Sequence, residues 1–472
     1  MLKTRQREAG CSDKRFLPDI RLCRKIRPGR VRRWGPCFAF CGGPAILYNK
    51  SSRKFCKTGG TVKADIVGSD VVVINTCGFI DSAKSEAIDF ILQTAALKAE
   101  GYVGKILVTG CLSQRYQQDI LNEMPEVDGI LGTGSYTEIV PAIEALLNDE
   151  VVSDFGSIDA PEQETGRILT TPEHYAYIKI AEGCDNRCAY CVIPSLRGKF
   201  RSRQMDDVLY EARLLAASGV KELIVVAQDT SRYGTDLPGH KRLLPQLLRE
   251  LCAIEELRWV RVHYVYPDEI DDEFIEVMAT EPKIVKYLDI PIQHCNSRIL
   301  KLMNRRGDGD FLRALFAKLR ERIPGLVLRT SVITGLPGEG EEEFAELCEF
   351  LKEQRLERVG AFPFSPEEGT PAAEMEHVDS DVAQARAQSV EMIQSAIMDD
   401  YNAAMIGRQL DIVVDGYDEE LEQFYGRTFA DSPEIDGRVW IASAEPVPVG
   451  EFIRVEIDGC IDGELSGFVL EE

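Results

Sequence analysis

The sequence predicts an α/β protein in three folded parts: a doubly wound parallel sheet over residues 61–150, a (β/α)6 partial barrel over 170–403, and a small all-β barrel over 404–472. Three observations predict it. Short apolar runs alternate with helix-length amphipathic stretches between Val67 and Leu147, and six more strand-like runs recur at helical intervals between 175 and 365. After Gly407 the apolar period drops to two and is broken by Gly, Asp and Pro. At 472 residues and 44% hydrophobic content, the chain can bury several cores.

Residues 1–60 fit none of these parts. The run RQREAGCSDKRFLPDIRLCRKIRPGRVRRWGPC has neither a 3.6 nor a 2.0 apolar period and is dense in arginine, so no strand or helix is expected there. From Val67 the text changes. VVVINTC (Val71 to Cys77) is a short buried strand, Ser82 to Glu100 is a helix with Ser82 as N-cap, and KILVTGC (Lys105 to Cys111) is a second strand. After another helix come VDGILGT (Val127 to Thr133) and a helix from Tyr136 to Leu147. Cys77 and Cys111 then both fall at carboxyl ends of parallel strands, the edge where such sheets place ligands.

A polar, Pro-containing stretch from Asp149 to Pro172 reads as a linker. The second part carries YAYIKIAE at 175, ELIVVAQ at 222, WVRVHYV at 259, IVKYLDIPIQ at 284, LVLRTSVITG at 326 and ERVGAFPFS at 357. Its functional mouth is expected at the carboxyl ends of these strands. A helix from Ser380 to Met405 closes it. The tail offers five strands, QLDIVVDG, FYGRTFA, RVWIAS, EFIRVEIDG and ELSGFVLEE, which suffice for a small barrel.

The net charge of −23 is unevenly spread: residues 1–57 carry 16 Lys/Arg against three acids, and Ala404 to Glu472 has 17 acids against four basic residues. Such a chain has no general attraction for phosphate backbones and would draw basic partners, although the same charge also serves solubility. No run approaches 18 consecutive apolar residues and no apolar stretch followed by small residues opens the chain, which predicts a cytoplasmic protein with no membrane partner. In a reducing compartment, 14 cysteines argue against disulfides and for metal binding by some of them.

EGCDNRCAYCVIPSLRGKFRSR (Glu182 to Arg203) supplies that subset. Cys184, Cys188 and Cys191, spaced C-x3-C-x2-C directly after a strand, can converge as thiolates on one metal centre. Three thiolates on a four-iron cluster leave one iron without a protein ligand, the coordination site that S-adenosylmethionine (SAM) needs before reductive cleavage. A closed zinc site wants a fourth Cys or His at short spacing, and the next candidate, His263, is remote. RGKFRSR reads as a basic rim, Gln228 and Gln293 end strands of the partial barrel, and Cys252, Cys295, Cys348 and Cys460 read as core thiols.

With Tyr190 before its third cysteine, the triplet resembles the radical SAM signature, and EGCDNRC-YC-IP--RGKFRSR is similar to the methylthiotransferase family within that class. INTCGFIDSAKSEAID and VTGCLSQRY are similar to the amino-terminal domain of these enzymes, and the tail to their TRAM domain. The resemblance runs from Ala64 to Glu472. It implies two 4Fe-4S clusters and SAM: one cluster on Cys184, Cys188 and Cys191, and an auxiliary one on Cys77, Cys111 and a third cysteine. Family members carry the third in a Gly-Cys-x-Lys-Asn segment some 36 residues before the second. Cys41 lies 36 residues before Cys77, but its surroundings, AFCGGPAILYNK, depart from that pattern. The departure and the arginine-rich text suggest a disturbed reading frame or wrong start in residues 1–60, which would leave the auxiliary cluster incomplete. VITGLPGE resembles the segment that contacts the SAM adenine, with Ile333 and Gly335 at the matching places.

Two branches of the family differ in substrate, one modifying adenosine in tRNA and the other the β-carbon of an aspartate in the twelfth small-subunit ribosomal protein. EGCDNRCAYC, RGKFRSR and VGAFPFSPEEGTPA are similar to the second branch. The acidic tail agrees, since it would repel a phosphate backbone and suit a basic ribosomal protein. A reductive electron donor is the other implied partner. A non-catalytic docking factor is the alternative from a different class. The tail barrel is expected to be separable from SAM cleavage.

Overall fold

The computed structural model describes residues 37–41, 61–63, 66–160, 169, 171–461 and 463–470, with backbone alone for 37–41, 61–63 and 82. The amino-terminal sheet contains β1 (Cys37–Cys41), β2 (Thr61–Lys63), β3 (Ser69–Thr76), β4 (Val103–Gly110), β5 (Gly129–Leu131) and β6 (Val152–Asp154), all parallel in the order β2-β1-β3-β4-β5-β6. The strands are apolar on both faces because both faces are covered. Val72, Ile74, Ile106 and Val108 pack with α1 (Asp81–Ala99), α2 (Cys111–Tyr116) and α3 (Gln118–Glu123), while Val71, Val73, Leu107 and Leu131 pack with α4 (Ile139–Leu147).

Two local expectations are corrected. A strand does form at Cys37–Cys41: CFAFC needs no amphipathic period to join the sheet, because its backbone groups pair with those of β2 on one side and β3 on the other. Helix α1 begins one residue earlier than expected, with Ile80 at the N-cap and no side-chain cap. The reading of residues 1–36 and 42–60 as frame-disturbed lies outside the described residues.

The central part begins with β7 (Tyr175–Lys179) and the short pair β8 (Ala181–Glu182) and β9 (Arg201–Ser202), with α5 (Ile193–Arg197) between them. There follow α6 (Met205–Ala217), β10 (Glu222–Val226), α7 (Leu244–Cys252), β11 (Trp259–Val262), α8 (Asp272–Thr280) and β12 (Ile284–Asp289). Next come α9 (Ser297–Leu302), α10 (Gly309–Arg322), β13 (Val327–Thr334), α11 (Glu341–Gln354), β14 (Arg358–Pro363) and α12 (Ser380–Ala403). Six strands form one parallel sheet, β14-β13-β12-β11-β10-β7, left open between its outer strands. Alternate side chains such as Ala176, Leu223, Val260 and Leu328 pack outward on the helices. The others, among them Tyr177, Arg261, His263, Tyr287 and Arg329, line the concave face.

The tail closes as a five-stranded barrel of β15 (Gln409–Asp418), β16 (Gln423–Arg427), β17 (Val439–Ala442), β18 (Phe452–Ile461) and β19 (Glu464–Val469) around Ile412, Val439, Ile441 and Val455. Its β16–β17 connection enters the amino-terminal side of the concave face. Arg427 pairs with Glu222 at the start of β10 (2.8 Å), Arg261 donates to Phe429 O (2.9 Å), Arg358 pairs with Asp431 (2.9 Å), and Tyr287 donates to Asp436 (2.7 Å). Val285, Tyr287 and Val327 cover Ala430. The connection therefore ties the barrel to the central sheet through buried polar pairs. Among the described residues, no helix is long and apolar enough to cross a membrane.

Candidate functional site

The cysteine loop is closed at its base by the β8–β9 pair. Gly183 has φ +80° and sits where a Cβ would lie 2.1 Å from Lys199 O, so only glycine permits the two arms to meet. Cys184 N–H donates to Gly198 O (3.2 Å) and Cys191 N–H to Cys188 O (3.0 Å). Ala189 N–H donates to Met303 O (2.9 Å), and Asn304 Nδ2 to Arg187 O (2.9 Å) at a left-handed residue (φ +51°). The loop is thereby held from both sides at the carboxyl mouth of the sheet.

All three cysteines are free, with Cys188 buried and the other two half-buried. Burial pushes the Cys184 thiol up to about 11 and Cys191 up to about 12. Cys188 Sγ lies 2.9 Å from Tyr266 Oη and 3.7 Å from Arg305 Nη1. Arg305 is 8% exposed and also donates to Tyr266 Oη (2.7 Å), Tyr190 Oη (3.1 Å) and Pro291 O (2.6 Å). No carboxylate of the described residues pairs with it. A buried cation without a carboxylate is costly unless an anion comes to it, and an iron–sulfur centre on three thiolates is such an anion. The donor set therefore fits the cluster. A zinc site gains no fourth ligand: His263 is buried and its Nε2 lies 3.1 Å from Ser432 Oγ.

The amino-terminal cysteines stand nearby. Thr76 pairs with Gly110, so Cys77 and Cys111 leave β3 and β4 at one level. Gly78 packs so closely on the next turn that a Cβ would lie 2.8 Å from the Leu112 backbone. Cys111 packs with Val192, which caps α5, and with Leu196 inside it, and the Arg197 side chain lies close to its thiol. Arg197 also reaches Tyr136 Oη (3.3 Å) and Glu182 Oε2 (3.5 Å), and Glu182 in turn holds Lys179 and Gln228 (2.9 Å). Arg197, half-buried, and Arg203, buried, are thus ion-pair partners of Glu182 and Glu211 rather than a solvated rim. Cys41 closes β1, whose register sets it opposite Ile74, three residues before the level of Cys77. At about 3.3 Å per residue that is about 10 Å along the strand.

Ile333, half-buried, packs beside Tyr190 and Leu336 and faces the cysteine loop. Gly335 is buried with φ +72°, donates its N–H to Glu339 Oε1 (2.9 Å), and a Cβ there would lie 2.3 Å from that of Ala383 on α12. Its requirement is met by packing alone. The oxygen of Gln228 is buried without a hydrogen-bond partner, and Gln293 has φ +68° at its bridge to Val332. Cys252 and Cys295 are buried, Cys348 and Cys460 half-buried. Arg305 and Tyr266 join the site with no local motif to mark them, whereas Arg197 opens the RGKFRSR run. Lys179 and Glu182 carried a signal, two charges three residues apart in an otherwise apolar run.

The Radical SAM superfamily profile matches residues 178–351, a TRAM domain profile 406–470, and a profile described as uncharacterized protein family UPF0004 residues 49–132. A ribosomal protein uS12 methylthiotransferase RimO from Anaeromyxobacter sp. (strain Fw109-5) is 48% identical over 415 residues, 87% of each chain. The protein of the same name from Lachnoclostridium phytofermentans is 46% identical over 401 residues, 84% of this chain and 91% of the relative. Among solved structures, the radical SAM methyltransferase TsrM from Kitasatospora setae shares the fold, with a TM-score of 0.51 at 13% identity over 69% of this chain and 72% of that one.

Proposed function

The chain belongs to the ribosomal protein uS12 methylthiotransferase family of radical SAM enzymes, and from that membership we propose that it replaces a hydrogen on the β-carbon of an aspartate in uS12 by a methylthio group. Two 4Fe-4S clusters are proposed, one on Cys184, Cys188 and Cys191 and one on Cys77, Cys111 and Cys41, with SAM as radical source and methyl donor. When bound, these groups supply a carbon radical able to take hydrogen from an unactivated carbon, and the sulfur that replaces it. The chain's own residues do the rest. Arg305 and Tyr266 hold positive charge and a hydrogen bond against Cys188, Ile333 and Tyr190 wall the space where the adenine would lie, and the β16–β17 connection closes the floor against water. The observation that carries the reading is the buried Arg305 beside Cys188, with no carboxylate of the described residues in ion-pair contact with it.

The basic substrate protein is matched by acids that remain on the surface of the tail. Glu419, Glu420 and Glu422 are exposed at the β15–β16 turn beside Leu421, whereas Asp415 is held by Arg427 of β16 and by His174, and Asp431 and Asp436 pair with Arg358 and Tyr287 of the central sheet. Its ribosomal substrate would place the enzyme in the cytoplasm, with a reductive electron donor. The test is anaerobic reconstitution followed by assay with uS12 and SAM, read by mass spectrometry. Replacing Cys184, Cys188 or Cys191 by Ala should abolish 5′-deoxyadenosine formation. Replacing Cys77 or Cys111 should preserve it and stop methylthio transfer; equal loss of both activities would contradict the division of roles.

A further inference from the structure

The segment SPEEGTPA, Ser365 to Ala372, belongs to neither cysteine site yet touches both. Glu367, 2% exposed, accepts from Arg115 Nη1 of α2 (2.5 Å) and Lys84 Nζ of α1 (3.0 Å), residues more than 250 positions away in the chain. Arg115 Nη1 also donates to Gly78 O (3.1 Å), beside Cys77, and its Nη2 to Glu368 O (3.1 Å). Ser365 Oγ lies 2.8 Å from Glu367 Oε1 and 3.3 Å from Asp81 Oδ2, and Thr370 Oγ1 donates to Glu367 O (2.7 Å). At the other end, Ala372 N–H donates to Ala189 O (2.9 Å), between Cys188 and Cys191, and Ala372 is fully buried against Ala189 and Met303.

We propose that Glu367 is a positioning residue: together with Arg115 it fixes the spacing between the Cys77–Cys111 edge and the Cys184–Cys191 loop, so that a radical made at one is used at the other. The inference rests on the reading that Cys77 and Cys111 belong to the site from which sulfur is transferred. A buried carboxylate held by two cations has little freedom to move, because displacing it leaves charges uncompensated. Its contacts end on backbone flanking both cysteine sites, Gly78 on one side and, through Ala372, Ala189 on the other. A group transfer needs its partners in near-attack geometry, and a misplacement of about 1 Å can cost about a hundredfold.

The test compares Glu367→Gln with the unaltered enzyme in deoxyadenosine formed per methylthiolated uS12. Positioning predicts that this ratio rises about tenfold or more while deoxyadenosine formation itself stays within about twofold. Amide hydrogen exchange over Asp81–Ala99 and Cys111–Tyr116 should also quicken in the protein without clusters. Arg115→Lys keeps the charge but cannot span Glu367, Gly78 O and Glu368 O together, so it should raise the ratio by less; it carries the test if Glu367→Gln does not fold. An unchanged ratio, or equal loss of both activities, overturns the proposal, as does faster exchange with an unchanged ratio. Cys111→Ala is the control. If that variant transfers normally, the reading of the sulfur site has failed and this inference falls with it; if it uncouples fully while Glu367→Gln does not, the inference alone fails.

Discussion

Arg305 carries a charge that two phenols, a carbonyl and a thiol cannot neutralise, and its effect should be felt by whatever anion the cysteine loop holds. Adding an electron to a cluster adds negative charge, which a nearby cation favours. Arg305→Gln should therefore shift the midpoint potential of the cluster negative in an EPR redox titration, with deoxyadenosine formation slowed; an unmoved potential would contradict this role. The loop thiols make a second prediction. Because burial raises Cys184 to about 11 and Cys191 to about 12, both are protonated near neutrality, and iron uptake must displace their protons. The yield of reconstitution should rise with pH and still be rising at pH 9, where a thiol at the ordinary 9.0 would begin to level. The triplet itself was legible because its spacing is local. Arg305 was not: its partners lie 14, 39 and 117 residues away, and an Arg pair after a helix reads as solvated.

Strand ends are the elements on which both cysteine sites depend, and glycines set how closely they approach. Gly110 has φ +103°, and a Cβ there would lie 2.3 Å from Thr76 O, so Gly110→Ala must push β4 from β3 at the level of Cys77 and Cys111. The strained backbone should cost about 1–3 kcal/mol, read as a lower urea midpoint. Methylthio transfer should fall more than deoxyadenosine formation. The strands and their cysteine-bearing ends were readable because apolar runs bounded by Gly and Asp give period and direction together. Two things were not readable for physical reasons. β1 joins the sheet between β2 and β3 through backbone groups, which leave no mark in side-chain period. In RGKFRSR, Arg197 and Arg203 turn inward to carboxylates at Glu182 and Glu211, and sequence shows charge without direction.

For the whole molecule, three parts were visible in the text but the joint between the last two was not, because its partners are separated by as many as 259 residues and most look like surface groups. Glu222 and Arg261 are fully buried and Arg427 nearly so. Burial would raise the Glu222 carboxyl, but Arg427 and Arg261 outweigh it and hold it below the usual 4.5; for Asp415 burial is likewise outweighed, by His174 and Arg427, below 3.8. Both groups are depressed in the folded state, so their stabilisation is fully present above those ordinary values and is lost as pH falls through the lower folded ones. The thermal midpoint should drop steeply below about pH 4.5, and the slope should flatten in Glu222→Gln. At neutral pH, reversing the charges of Glu419, Glu420 and Glu422 should weaken uS12 association in low salt and make little difference at about 1 M, where the Debye length is about 3 Å. The floor built by the β16–β17 connection also bears on ancestry. A terminal barrel so joined is not a detachable cassette: a lineage that exchanged it would have to exchange Glu222, Arg261 and Arg358 in the same step, so recognition and chemistry in this chain can diversify only by substitutions that keep the shared seam, and chimaeras that carry a foreign barrel should fold only when they import those partners with it.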